Sequence, residues 1–314
     1  MNITNAARVP SPQKNRRFFA GRLTQGEKIF TVFNYAILGL LGLVTFFPFY
    51  VVLTKSFSPP VDYLNKVIIW WPSEFVFDYY RFVLGAGSEF MRALKNTLFY
   101  VTVGTAVNIT VTFIVAFVLA QRRLPFRNQI TFFMVFTMFF GGGMIPGFLI
   151  MRMLGLLNKP WGIVINQLFS TMYALYLRNF IMTIPTDLIE SAQIDGCPEF
   201  KLLTHIILPL SLPSLATFTL FYAVQQWNLF QPAVLYLTDA KKLPLQVYIY
   251  QMISAMTIAG DADELRRIYE SGYRPPADAL KAAAVICSTV PIVVVYPFLQ
   301  KYFVKGMMMG SLKG

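Results

Sequence analysis

Apolar residues in this chain gather into long runs separated by short charged turns, and run length predicts the elements more clearly than any amphipathic period. Five runs contain no Asp, Glu, Lys or Arg: 29–54, 96–121, 128–151, 160–177 and 282–300. A helix needs roughly 20 mostly apolar residues to cross a hydrocarbon core about 30 Å thick, so each is a candidate span. A sixth lies within 206–238, where Pro209 and Pro213 disfavour an unbroken helix and place the span at 213–237. Helices bond their own backbone, so the pattern predicts an all-α, polytopic membrane protein with six transmembrane helices. It divides the chain into an amino tail (1–28), a six-helix domain (29–304) and a carboxyl tail (305–314). The first run is too long for the apolar part of a signal peptide and lacks a small-residue cleavage site, so it reads as a retained span.

Composition agrees. The 314 residues are 56% hydrophobic, 16% aromatic and 13% charged, with a mean hydropathy of +0.54. A soluble domain carries about 25% charged residues. Basic residues set the orientation. Arg8, Lys14, Arg16, Arg17, Arg22 and Lys28 lie in the amino tail, Arg122, Arg123 and Arg127 in the turn near 121–128, and Lys301, Lys305 and Lys313 at the carboxyl end. With Arg178 and Lys201, that side carries 14 basic and 5 acidic residues against 13 and 10 on the other. Both termini are therefore expected in the cytoplasm, in a multi-pass protein of the cell membrane. The net charge of +12 flanks spans instead of forming a basic stripe with stacking aromatics, which argues against nucleic acid and for membrane lipids as partners.

Several chemistries lack their parts. The single histidine, His205, excludes a two-histidine zinc motif, and no metal site is expected. No span has a central carboxylate for a proton relay, which counts against a self-sufficient secondary transporter or channel. "GRLTQGEK" (21–28) has the glycine spacing of a phosphate loop but Glu27 where Lys is required and Lys28 where Ser or Thr is required. Cys197 and Cys287, one in a cytoplasmic loop and one in a span, are not expected to pair. The chain reads as a transporter subunit and not as an enzyme, and any ATP would be bound by another chain.

One cytoplasmic stretch, "IESAQIDGCPEFKLLTHIILP" (189–209), is charged and punctuated. Residues 188–194 predict a short helix introduced by Pro185 and capped by Asp187, with Glu190 in the capping-box position. Gly196 suits the left-handed stop. Pro198 and Glu199 then favour a new helix start, and Phe200, Leu203 and Ile207 recur on one face until Pro209 and Pro213 stop it. Spacing alone leaves two readings open, an interfacial loop that packs on its own protein or a docking element.

Glu190-Ser191-Ala192, then Asp195-Gly196, then Ile206-x-Leu208-Pro209 resembles the EAA loop of ABC-importer permeases, with Ser191 in place of the first alanine. The similarity extends through 144–158, 220–228, 243–253 and the ending with Gly306, Gly310, Lys313 and Gly314, and resembles carbohydrate permeases of the maltose, multiple-sugar and oligosaccharide type. The resemblance implies the type I ABC importer permease fold and binding-protein-dependent transport. It implies a second permease subunit, forming a heterodimer, a cytoplasmic ABC ATPase dimer that uses ATP and Mg, and an extracytoplasmic solute-binding protein. No cofactor is then bound by this chain. The loop over 186–210 becomes the coupling element: Glu190, Ser191, Ala192, Asp195 and Gly196 as contact and turn residues, and Phe200, Leu203, Ile207 and Pro209 as the helix packed against the spans. A permease of the same superfamily for peptides, amino acids or ions is the alternative.

Sugars are bound by aromatic stacking and neutral hydrogen-bonding groups, which cross a membrane at less cost than charges. Tyr222, Gln225, Gln226, Trp227 and Asn228, with Asn166, Gln167, Ser170 and Tyr173, are candidates for the substrate path; interhelical bonding is the equal alternative. The exterior loops 55–95 and 239–281 are candidates for binding-protein contact, and Gly141, Gly142, Gly143 and Pro146 are expected to break or loosen the third span, with close helix packing through small residues as the equal alternative.

Overall fold

A computed structural model describes residues 25–65, 68–258 and 276–311. Among them every regular element is helical. The chain divides into two units, 1–51 and 52–314, and most of the long apolar helix α1 (Gln25–Phe57) belongs to the first.

In the second unit, α2 (Pro60–Asn65) and α3 (Asp78–Leu84) precede a helix that runs from Glu89 to Ala120 with one irregularity. Its halves, α4 (Glu89–Phe99) and α5 (Thr105–Ala120), are joined by a π-turn at Tyr100–Gly104. Ser88 starts α4 as an N-cap, its Oγ accepting the Met91 N–H at 3.1 Å.

Among the described residues, four uninterrupted helices are long and apolar enough to cross a membrane: Gln25–Phe57, Glu89–Ala120, Glu199–Trp227 and Ala277–Pro297. The third expected span is broken. Its halves α6 (Arg127–Phe139) and α7 (Met144–Met153) meet at 114°, and Gly143 at the break has φ +85, a conformation open to glycine. The run 160–177, expected as one span, is two short helices, α8 (Pro160–Asn166) and α9 (Thr171–Ile181). Hydrophobic run length could not show this division, because Ser170 caps α9 by accepting the Tyr173 N–H at 3.5 Å without any charge in the run.

The expected stop at Pro209 and Pro213 is not present. From Glu199 the chain winds through α11 (Glu199–Leu202), a π-turn at Leu203–Ile207 and α12 (Leu208–Trp227). The π-turn resets the bonding register ahead of Pro209, which then occupies the first turn of resumed α-winding, where a missing N–H costs least. The span therefore ends at Trp227, not near Leu237, and residues 231–236 form a separate helix, α13 (Gln231–Tyr236). Next come α14 (Leu245–Ile258) and α15 (Ala277–Ser311), the latter longer than the run 282–300.

Among the described residues, three apolar clusters hold the second unit together. One joins α3 to the first turns of α4, α14 and α15 through Tyr79, Phe90, Ala93, Leu245, Leu280 and Ala283. A second, around Tyr100, Met151, Ile163, Leu229 and Ala233, packs α7, α8 and α13 beside the first π-turn. The third joins α5, α9, α11 and α12 through Phe117, Leu177, Ile181, Leu202, Ile207 and Phe218. The turn around Asn158 and the loop 237–243 are tied together: Asn158 Oδ1 accepts the Asp239 N–H at 3.1 Å, and its carbonyl accepts the Lys242 ammonium at 2.8 Å. The Lys241 N–H and the neighbouring lysines hold the Asp239 carboxyl below its usual range. Asn96 anchors the same loop to α4, donating to the carbonyls of Lys241 and Leu243.

Candidate functional site

The segment 186–210 folds as a helix, a glycine turn and a second helix. Its first helix, α10 (Thr186–Ile194), begins at Pro185, which holds the cap position without a side-chain bond. Asp187 is not the cap; it lies two positions past it, in the first turn, where its charge faces the positive end of the helix. At the far end the Gly196 N–H donates to the Gln193 carbonyl at 3.1 Å and the Cys197 N–H to the Ala192 carbonyl at 3.0 Å. Gly196 has φ +75. This paired 5→2 and 6→1 bonding is a Schellman stop, and it fixes the angle at which α11 leaves.

The segment has an inner and an outer face. Ile189, Ala192, Cys197 and Leu203 pack on the third apolar cluster, in which Leu202 and Ile207 are fully buried. Glu190, Ser191, Asp195, Gly196 and Pro209 are exposed. Phe200, expected to pack against the spans, is 76% exposed; the turn after Gly196 rotates α11 so that Leu202 takes the inner position instead. Ile194 is 85% exposed and was missed in the sequence, although its place off the Ile189–Ala192 stripe was readable there. Glu190, Gln193 and Thr186 also line a cleft shared with Gln121, Arg122 and Arg123.

The path candidates divide. Tyr222, Gln226 and Trp227 are buried among helices, whereas Gln225 and Asn228 are exposed on the same helix. Tyr222 and Thr112 are bonded at 2.6 Å, and Gly104 faces the Gln226 side chain, so α5 and α12 run antiparallel in contact. A Cβ on Gly104 would lie 3.0 Å from Gln226 Cδ. The carboxamides of Asn108 and Gln226 are buried in that contact with no side-chain bond to protein. Asn166 is exposed and donates to the Tyr236 hydroxyl at 3.3 Å. Tyr173 is half-buried, edge-on to Tyr222 at 5.1 Å, and Gln167 is also half-buried. The nine candidates therefore do not line one surface of this chain. Part of the loop 239–281, from 259 to 275, lies outside the described residues.

Comparison with known proteins accounts for this architecture. The chain is 38% identical over 289 residues, 92% of its length and 99% of the relative's, to the polygalacturonan/rhamnogalacturonan transport system permease protein YtcP of Bacillus subtilis. It is 38% identical to protein LplC of the same organism, over 93% of this chain and 97% of that one. A solved bacterial ABC transporter that imports the acidic polysaccharide alginate has a chain with TM-score 0.82 and 29% identity, covering 90% of this chain and 99% of that one. Residues 82–309 match the family model described as the binding-protein-dependent transport system inner membrane component. In homologous systems the ATPase is a separate subunit, and with that match over most of its length the chain is a membrane permease subunit of the binding-protein-dependent transport family.

Proposed function

We propose that this chain is one permease subunit of an ATP-driven importer of sugars or oligosaccharides, working by alternating access. The observation that carries the reading is the two-faced segment at 186–210: a helix closed by Gly196, clamped from within by Leu202 and Ile207, and presenting Glu190, Ser191, Ile194, Asp195 and Phe200 outward. Such a tip fits a cleft on a cytoplasmic ATPase dimer, which binds ATP and Mg. The apolar Ile194 and Phe200 would be desolvated there, while Glu190 and Asp195 give polar register.

Movement at the tip has a direct route to the bundle. The helix from Glu199 to Trp227 is unbroken, so a push at α11 is carried along α12 to Tyr222 and Gln226. In the assembly proposed, a second permease subunit completes the path, opposite the exposed Gln225, Asn228 and Asn166; Tyr222, Gln226, Trp227, Gln167 and Tyr173 position the helices behind it. A solute-binding protein delivers the substrate on the face opposite the amino terminus, and both termini are cytoplasmic. The carbohydrate assignment draws on the named substrates of the relatives and on the lack of a central charge in any expected span.

The test is reconstitution of the chain with its partner permease, ATPase and binding protein in proteoliposomes. Oligosaccharide-loaded binding protein should stimulate ATP hydrolysis and uptake together. Uptake by this chain alone under an ion gradient, indifferent to ATP, would sink the proposal, and stimulation only by peptides or amino acids would remove the carbohydrate assignment.

A further inference from the structure

Residues 68–77, "IIWWPSEFVF", join α2 to α3 and carry one charge, Glu74. Their aromatic side chains face outward: Trp70 is 63% exposed, Trp71 67%, Phe75 50% and Phe77 57%. The backbone beneath them is fixed. Thr54 Oγ1 donates to the Ile69 carbonyl at 2.7 Å, and the Val76 N–H donates to the Phe57 carbonyl at 2.9 Å. The buried Asp62 carboxylate accepts both the N–H and the hydroxyl of Ser73, at 2.8 and 3.0 Å. Phe57 meets Phe77 edge-on at 5.4 Å, and Trp71 meets Phe75 in the same way at 5.7 Å. The outward aromatics are thus built into a well-bonded strap.

Two independent contacts set the height of that strap. Thr54 ends the charge-free run of the first span, and Lys55 is the first charge after it. On the other side, Val76 and Tyr80 pack on the cluster formed by Phe90, Ala93, Leu280 and Ala283, in the first two turns of α4 and α15. The strap is thus fixed at Thr54, the last residue of a charge-free run, and on the first turns of α4 and α15, just ahead of the charge-free runs that begin at 96 and 282. Tryptophan pairs an apolar body with a polar N–H and concentrates at that depth, and a lysine stem there lets its ammonium reach lipid phosphates.

We propose that residues 68–77 are an interfacial lipid anchor, with Trp70, Trp71, Phe75 and Phe77 seated at the headgroup–acyl boundary of the leaflet opposite the amino tail. The inference needs only that the chain spans a bilayer and does not rest on the sugar assignment. It separates this strap from the parts of the 55–95 loop left to contact a binding protein.

The test uses the whole transporter complex in nanodiscs of phosphatidylcholine, either plain or brominated on the acyl chains close to the headgroup. Tryptophan emission is compared for the parent, Trp70→Phe, Trp71→Phe and the double variant, with Trp161, Trp227 and the tryptophans of the partner subunits as the common background. The emission lost between parent and double variant isolates Trp70 and Trp71, and bromolipid should quench that difference by about half or more, so that total quenching falls in the double variant. Unchanged quenching would overturn the proposal. So would quenching of Trp70 and Trp71 by aqueous iodide that the binding protein blocks, which would make the strap a protein-docking face. Should the double variant fail to assemble, bimane on Phe75→Cys in a Cys197→Ser, Cys287→Ala background gives a second reading. Blue-shifted emission is expected, and water-like emission overturns the anchor.

Discussion

The hydroxyls of Tyr222 and Thr112 lie 2.6 Å apart, and the Tyr222 oxygen also accepts the backbone N–H of Ser170 at 2.8 Å. One phenol, 1% exposed, therefore joins α12 to α5 and to the start of α9. Tyr222→Phe would leave the buried Thr112 hydroxyl and the half-buried Ser170 N–H without that partner, at a cost of about 1–3 kcal/mol. Thermal unfolding of the purified complex should show a lower Tm for Tyr222→Phe. Adding Thr112→Val should cost less in that background than in the parent; full additivity would show that the pair is not coupled.

Gly196 holds a left-handed backbone with open space around its α-carbon. Gly196→Ala should therefore cost roughly 1 kcal/mol from conformation alone, with no packing clash. The larger effect is expected on coupling, because a changed stop re-aims α11. Substrate-stimulated ATP hydrolysis should fall while insertion and complex yield are retained. Gly196→Asp and Glu190→Lys should abolish uptake; normal uptake by either would remove the coupling role.

Leu202 and Phe200 stand two residues apart on opposite faces. Leu202→Ala removes a side chain 1% exposed and should destabilise by about 2–5 kcal/mol, read as a lower Tm or lost expression. Phe200→Ala removes one that is 76% exposed and should leave Tm nearly unchanged while weakening retention of the ATPase on affinity-purified permease. Equal Tm losses would contradict the inner and outer assignment.

Gly162 and Gly147 give a steric contrast. A Cβ on Gly162 would clash with the Leu156 carbonyl oxygen, a backbone atom that a rotamer change cannot move. On Gly147 the nearest atom would be the Tyr236 hydroxyl at 3.5 Å, an ordinary contact. Gly162→Ala should sharply reduce the yield of folded protein, and Gly147→Ala should be close to the parent when both are followed by fluorescence-detected gel filtration.

What the sequence determined by itself follows from run length and local backbone chemistry. Charge-free runs of span length identify a helical membrane protein, because a chain in lipid has few other ways to bond its backbone. Gly196 as a helix stop was legible because it biases its own φ and ψ, whereas the glycines at 141–143 left a break and close helix packing open until the structure showed the break. The tertiary structure decided what depends on rotation and register. It carried the helix through Pro209 and Pro213 by way of a π-turn, divided 160–177 at Ser170, and turned Phe200 out and Leu202 in. It also separated Gln225 and Asn228 from the buried Gln226 and Trp227. In an apolar helix every face resembles every other, so hydrophobic pattern no longer marks the inside, and only the packing partner decides which side chain faces it.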